Sequence, residues 1–148
     1  MALQITTVCK HIAEMEVDGV KIAGLGNIPA NIHEPYIIPL PNLVTGFTCI
    51  RETFGTGSTA KYTVTYNLNY RLCYIPVSET RATNLDHFDD MVSAYGRFID
   101  QAIINDALTG AVDVIPQDTV NFGIVEDPAG NPFWGCDIAI GIVEYVNG

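Results

Sequence analysis

The sequence predicts an α+β fold: a mostly antiparallel sheet containing a long β-hairpin, packed against an N-terminal helix and a long central helix. Three observations predict it. A helix-spaced apolar stripe opens the chain, strict alternation runs from Lys61 to Ile75, and a longer helical stripe from Leu85 to Asn105 precedes further alternating segments. The 148 residues, 48% of them hydrophobic, suffice for one core and not comfortably for two, so a single domain spanning 1–148 is expected.

In the first element, Ile5, Val8, Cys9, Ile12 and Met15 recur at three- and four-residue spacing between Leu3 and Glu16, and Asp18-Gly19 breaks the pattern. The next stretch, "VKIAGLGNIPANIHEPYIIPLPNL", holds Pro29, Pro35, Pro39 and Pro41 with Gly24 and Gly26. It reads as a winding connection with a short strand at Tyr36 to Ile38.

Phe47 to Thr53 and Lys61 to Ile75 read as the two strands of the hairpin. In the second, Tyr62, Val64, Tyr66, Leu68, Tyr70, Leu72 and Tyr74 alternate with Thr63, Thr65, Asn67, Asn69 and Arg71. At roughly 3.3 Å per residue this strand would span on the order of 45 Å, so one end of the hairpin, around 47–75, is expected to project beyond the core. Pro76 should stop it.

The central helix is expected over Leu85 to Asn105, with Thr83 or Asn84 as N-cap and Asp86, Asp89 and Asp90 near its positive end. Leu85, Phe88, Met91, Val92, Tyr95, Phe98, Ile99, Ala102 and Ile103 form its apolar stripe. Strands at Ala111 to Ile115, Val120 to Val125 and Phe133 to Val146 follow, the last two joined by the turn "EDPAGN".

The charge balance restricts the function classes. Seven Lys+Arg against 17 Asp+Glu give a formal net charge of −10, which excludes indiscriminate binding of DNA or an anionic membrane because phosphate neutralisation needs cations. "MALQITTVCKHIAEM" lacks a basic start followed by an apolar run, and the apolar stretches fall short of membrane-spanning length. Cys9, Cys49, Cys73 and Cys136 lie far apart with no C-x-x-C pair, so free thiols in a reducing cytoplasm are expected, with no zinc site.

Candidate chemistry is sparse. The loop Phe54, Gly55, Thr56, Gly57, Ser58, Thr59 before Lys61 invites a phosphate-loop reading, but Tyr62 stands where a Walker motif needs Ser or Thr, and a strand follows in place of a helix. Turn formation accounts for its glycines and hydroxyls. Gly24-Leu25-Gly26-Asn27 lacks the third glycine and the helix of a dinucleotide site. His87, Asp89 and Asp90 occupy one helical turn and point in different directions, so a solvated helix start explains them better than a metal. His11 and His33 have no neighbouring nucleophile motif. Trp134 reads as a core or interface aromatic. No catalytic residue and no cofactor is expected.

The order of an N-terminal helix, the proline-led strand "EPYIIPLPN", a long hairpin, a helix across the sheet and a closing strand pair ending in "WGCDIAIGIVEYV" resembles that of phage tail terminator proteins and the related neck and tail-completion proteins. The resemblance covers most of the chain and lies in element order. It implies a non-enzymatic virion protein of the tail or neck, assembled in the host cytoplasm as a hexameric ring. That ring would cap the tail tube and join it to the head-side connector, with DNA passing through without specific binding. It also implies that Phe54, Gly55, Thr56, Gly57, Ser58 and Thr59 form a hairpin tip contacting another subunit or partner. Two other readings stay open: a small hydrolase or nucleotide-binding enzyme using the Gly55 to Lys61 loop, and an adaptor domain that binds its partner by strand addition.

Overall fold

The computed structural model describes residues 4–53, 60–78, 86–104, 112–117 and 119–147. They form two helices and a mixed six-stranded sheet, an α+β arrangement. Helix α1 spans Ile5–Glu14, strand β1 Lys21–Ile22, β2 Tyr36–Thr53 and β3 Ala60–Pro76. Helix α2 spans Asp86–Ile104, followed by β4 at Val112–Pro116, β5 at Phe122–Glu126 and β6 at Pro132–Asn147. The two-residue β1 pairs parallel with β2, and the other strand pairs are antiparallel.

Strand β6 is the centre of the sheet. β3 lies along one side from Lys61 to Pro76, while β4 and β5 share the other side, opposite 140–144 and 132–136 respectively. In the gap between them the backbone N–H of Ala139 donates to Gln117 Oε1 at 2.6 Å, which satisfies a group that the ladder leaves over. The described part of the hairpin is thus one side of a three-stranded ribbon of β2, β3 and β6.

One face of this ribbon meets both helices. Tyr66, Leu68, Tyr70 and Leu72 of β3 and Cys136, Ile138, Ile140 and Ile142 of β6 are buried with Val8, Cys9 and Ile12 of α1 and Met91, Ala94, Phe98 and Ala102 of α2. Burying each large apolar side chain contributes about 1.5–3 kcal/mol, so this layer dominates the fold's stability. Tyr70 packs on Phe98 with ring centroids 5.9 Å apart, and Phe88 on Trp134 at 5.4 Å, which places Trp134 at the margin of the core.

A smaller cluster of Ala23, Ile32, Ile38, Cys73 and Phe133 lies on the opposite face, where the segment between β1 and β2 folds over one end of the sheet. Asp127 fastens it. Its carboxylate accepts from the backbone N–H groups of Ile32, Ala129 and Asn131 and from Asn131 Nδ2, tying the β5–β6 turn to the covering segment.

Several expectations require correction. Tyr36 to Ile38 and Phe47 to Thr53 belong to one 18-residue strand, not two elements. Register shifts between Pro39 and Val44 and between Thr45 and Thr48 absorb the prolines, and Gly46 at φ 67° supplies a conformation in the second shift that other residues rarely adopt. Beyond Ile37 the outer side of β2 has no strand partner among the described residues, so prolines there remove no ladder bond. The parallel β1 was not expected, and it makes the sheet mixed. β3 does end at Pro76, where the sequence placed its stop. On α2, Val92 and Ile103 are exposed and do not join the core stripe. The expected caps Thr83 and Asn84 lie outside the described residues.

The four cysteines are free thiols, three buried and Cys49 exposed. No described helix is long and apolar enough to cross a membrane.

Candidate functional site

The most distinctive surface is the end of the sheet formed by the second half of β2, the first half of β3, the last part of β6, and β4. Pairing rows fix which side chains share a face. Cys49 is opposite Val64, and Val64 opposite Glu144, so these point toward the helices. Thr48, Thr65, Val143 and Asp113 form the adjacent row and point away.

Toward the helices, Phe47 lies 5.2 Å from the Tyr66 ring between centroids, yet remains 54% exposed. Tyr66 is wholly buried beneath it, so Phe47 acts as an apolar lid with one side in water. Arg51 sits over the Tyr62 ring, 5.5 Å from its centroid, a cation–π contact that holds an exposed guanidinium beside the edge of β2.

Below this surface is a buried polar cluster. The Tyr66 hydroxyl donates to Glu144 Oε2 at 2.5 Å, and the backbone N–H of Gln4 donates to Glu144 Oε1 at 2.8 Å. Gln4 is the N-cap position of α1 and makes no side-chain cap of its own. The Glu144 carboxylate therefore does from β6 what the acidic residue of a capping box does locally, accepting from the N–H of the N-cap residue, and its negative charge suits the positive end of the helix. Burial raises the Tyr66 hydroxyl well above its ordinary pKa, and the hydrogen bond to Glu144 and its negative charge raise it further. The pair fixes α1 against the sheet directly under the exposed ribbon.

On the other face the side chains are polar with little charge. Asn69 Nδ2 donates to the Asn42 carbonyl at 2.9 Å and to Thr45 Oγ1 at 3.2 Å, knitting the irregular part of β2 to β3. The Tyr145 hydroxyl donates to Asp113 Oδ2 at 2.7 Å, across β6 and β4. Farther along, Arg71 is neutralised by two hydrogen bonds to Asp137, at 2.6 and 3.0 Å. Ile50 and Ile115, exposed at 54% and 52%, project from this face at opposite edges.

A cleft of about 510 Å³ lies elsewhere, between α1 and the 22–27 segment, lined by Cys9, Lys10, Gly24, Asn27 and Tyr36 among others. Burial pushes the Cys9 thiol up, although a hydrogen bond with Tyr70 acts the other way. A neutral buried thiol is a poor nucleophile, so the cleft has no activated group of that kind. Gly24 to Asn27 form a turn on its rim, closed by the Asn27 N–H donating to the Gly24 carbonyl. Among the described residues no three His, Cys, Asp or Glu side chains converge as metal ligands.

The expected contact residues Phe54, Gly55, Thr56, Gly57, Ser58 and Thr59 lie outside the described residues, which reach Thr53 on one side and resume at Ala60 on the other. Sequence reading missed Glu144, Phe47 and Ile50. A signal existed for Glu144: it continues the parity of Cys136, Ile138, Ile140 and Ile142, so an acid was due to face the core. No comparable signal marked Phe47, because the shift at Gly46 reassigns the faces of β2. No family model and no curated protein matches this sequence.

Proposed function

We propose that this chain is a non-enzymatic structural subunit of a virion tail or neck, working as a ring at the end of the tail tube and joining it to the head-side connector, as its resemblance to tail terminators implies. The observation that carries the reading is the open outer edge of β2, where Phe47 and Ile50 stand exposed beside a strand with no partner beyond Ile37 among the described residues. An edge of that length invites pairing with another chain. The adjoining face, with Thr48, Thr63, Thr65 and Asn67, has the low charge of an interface core.

The acidic balance supports the DNA-passage part of the proposal. Glu14, Glu16, Asp89, Asp90 and Asp100 are exposed on or beside the helices, where they would repel phosphate if that layer lined a lumen. The self-ring, the tail tube protein and the connector are the proposed partners, and the long hairpin against the two helices is the part that would reach them.

Light scattering tests the assembly step. The wild-type chain is expected to have a mass several times that of the monomer, and Ile50→Lys, at an exposed position of the β2 edge, to be monomeric with an unchanged melting temperature. A wild-type chain that stays monomeric and never associates with tail tubes or connectors contradicts the proposal. A one-to-one complex with an unrelated protein through the β2 edge would favour the adaptor reading instead.

A further inference from the structure

Helix α1 is a poor helix by its own sequence. Ile5, Thr6, Thr7, Val8 and Ile12 make half of its ten residues β-branched, four of them in an unbroken run at its start, and such side chains lose rotamer freedom in a helix. Its first turn carries no acid, and Gln4 at the N-cap makes no side-chain bond. A helix this short is marginal at best alone in water, so its order comes from docking.

The docking is of two kinds. Val8, Cys9 and Ile12 enter the main core, where Cys9 is hydrogen-bonded to Tyr70. Glu144 supplies the other tie, accepting the Gln4 N–H on one carboxylate oxygen and the Tyr66 hydroxyl on the other.

The segment after α1 is anchored separately. Met15, Val17 and Val20 are buried, Val17 pairs with Val20, and Arg97 Nη2 on α2 donates to the Asp18 carbonyl at 3.2 Å. Between the two anchors, at Met15, the backbone leaves the helix for an extended conformation. One flank of α1 borders the cleft of about 510 Å³, so the helix is not packed against chain all around.

We infer that α1 is a displaceable cover over the sheet, hinged at Met15 and latched by Glu144, which undocks and unfolds as a unit while the sheet and α2 stay folded. Opening of this kind draws on less than the global stability, because it breaks only the contacts of one element. It uncovers Tyr66 and Tyr70 beside Phe47, which is already half exposed on the same face. The device works within one chain and does not depend on a ring.

Cys9 reports the opening. Cys73 and Cys136, wholly buried in the sheet, report global unfolding in the same sample, and Cys49→Ser removes the exposed thiol. The full Cys49→Ser chain is treated with a maleimide in the absence of denaturant, and each cysteine is followed by mass spectrometry. Glu144→Leu strips both acceptors from the latch. A second variant closes the cover: a Cβ at Gly24 would stand 3.7 Å from the Ala13 Cβ, which suits a disulfide, so oxidised Ala13→Cys/Gly24→Cys ties α1 to the segment beside β1.

Cys9 is expected to react faster than Cys73 and Cys136. Glu144→Leu should speed Cys9 about tenfold or more relative to those two, as loss of a buried carboxylate's hydrogen bonds implies. The disulfide should slow Cys9, and it decides the matter alone if Glu144→Leu fails to fold. Three thiols reacting at one common rate, or a Cys9 rate that the disulfide leaves unchanged, overturn the cover. A Cys9 rate that the disulfide slows but Glu144→Leu leaves unchanged overturns the latch.

Discussion

The Tyr66 hydroxyl donates a 2.5 Å hydrogen bond to Glu144 Oε2, joining β3 to β6 beneath the surface where Phe47 lies exposed. Glu144 is 2% exposed and has no ion pair among those seen in the described residues, so its carboxylate depends on Tyr66 and the Gln4 N–H. Tyr66→Phe leaves one oxygen unsatisfied and should cost about 1–3 kcal/mol, read as a lowered urea midpoint. A double-mutant cycle with Glu144→Gln should give a coupling energy clearly different from zero. Strict additivity would show that the contact contributes nothing specific.

Among the described glycines of the sheet, Gly135 is the most closely hemmed in. A Cβ there would stand 1.7 Å from the Leu72 carbonyl oxygen, and backbone cannot move aside as a flexible side chain can. Gly135→Ala should destabilise by about 3 kcal/mol or more. Gly123→Ala meets nothing within 4 Å and should stay within about 0.5 kcal/mol of wild type. Equal effects from the two substitutions would mean that the close approach of β3 to β6 is misread.

How much of this was legible in advance follows from period and parity. The alternation from Tyr62 to Leu72 marked β3 and its buried face, and the three- and four-residue spacing marked α1 and α2, because each depends only on local geometry. The continuity of β2 was not legible. Pro39 and Pro41 read as breakers unless the strand is known to be an edge with its register shifted beside them. The exposure of Val92 and Ile103 was hidden for a related reason, since a helical stripe can be wider than the sheet beneath it. Asp127 sat in a turn easily recognised from "EDPAGN", but its bond to the Ile32 N–H, 95 residues away, is a tertiary fact.

Acid should weaken the clamp at Asp127. Desolvation acts to raise its pKa, but the hydrogen bonds from Asn131, Ile32 and Ala129 outweigh it and hold the carboxyl below its ordinary 3.8. A lowered carboxyl pKa stabilises the fold fully above the unfolded value and is lost as pH falls through the folded one. Asp127→Asn replaces an acceptor by a donor facing the Ile32 N–H or Asn131 Nδ2, so about 1–3 kcal/mol should disappear near neutral pH. The variant should also show a shallower loss of stability below pH 3.8 than wild type. Parallel acid limbs would remove Asp127 as their source.

Alkali acts in the opposite direction. Burial pushes the Cys73 and Cys136 thiols up to about 12, and burial raises Tyr66 and Tyr70 as well. Groups whose protons the folded chain retains stabilise it fully below the unfolded pKa, about 8.5 for a thiol. That contribution is lost as pH climbs toward the folded value of about 12. Urea midpoints should therefore fall steadily across this interval, and a flat profile would contradict the burial of these groups.

The proposed assembly of this chain into a ring is open to electron imaging of the purified particle or complex that contains it. Closed rings of identical subunits at the end of a tail tube are the expected result. Particles in which the chain is a dispersed monomer, with no cyclic symmetry and no contact with tube or connector, would contradict it.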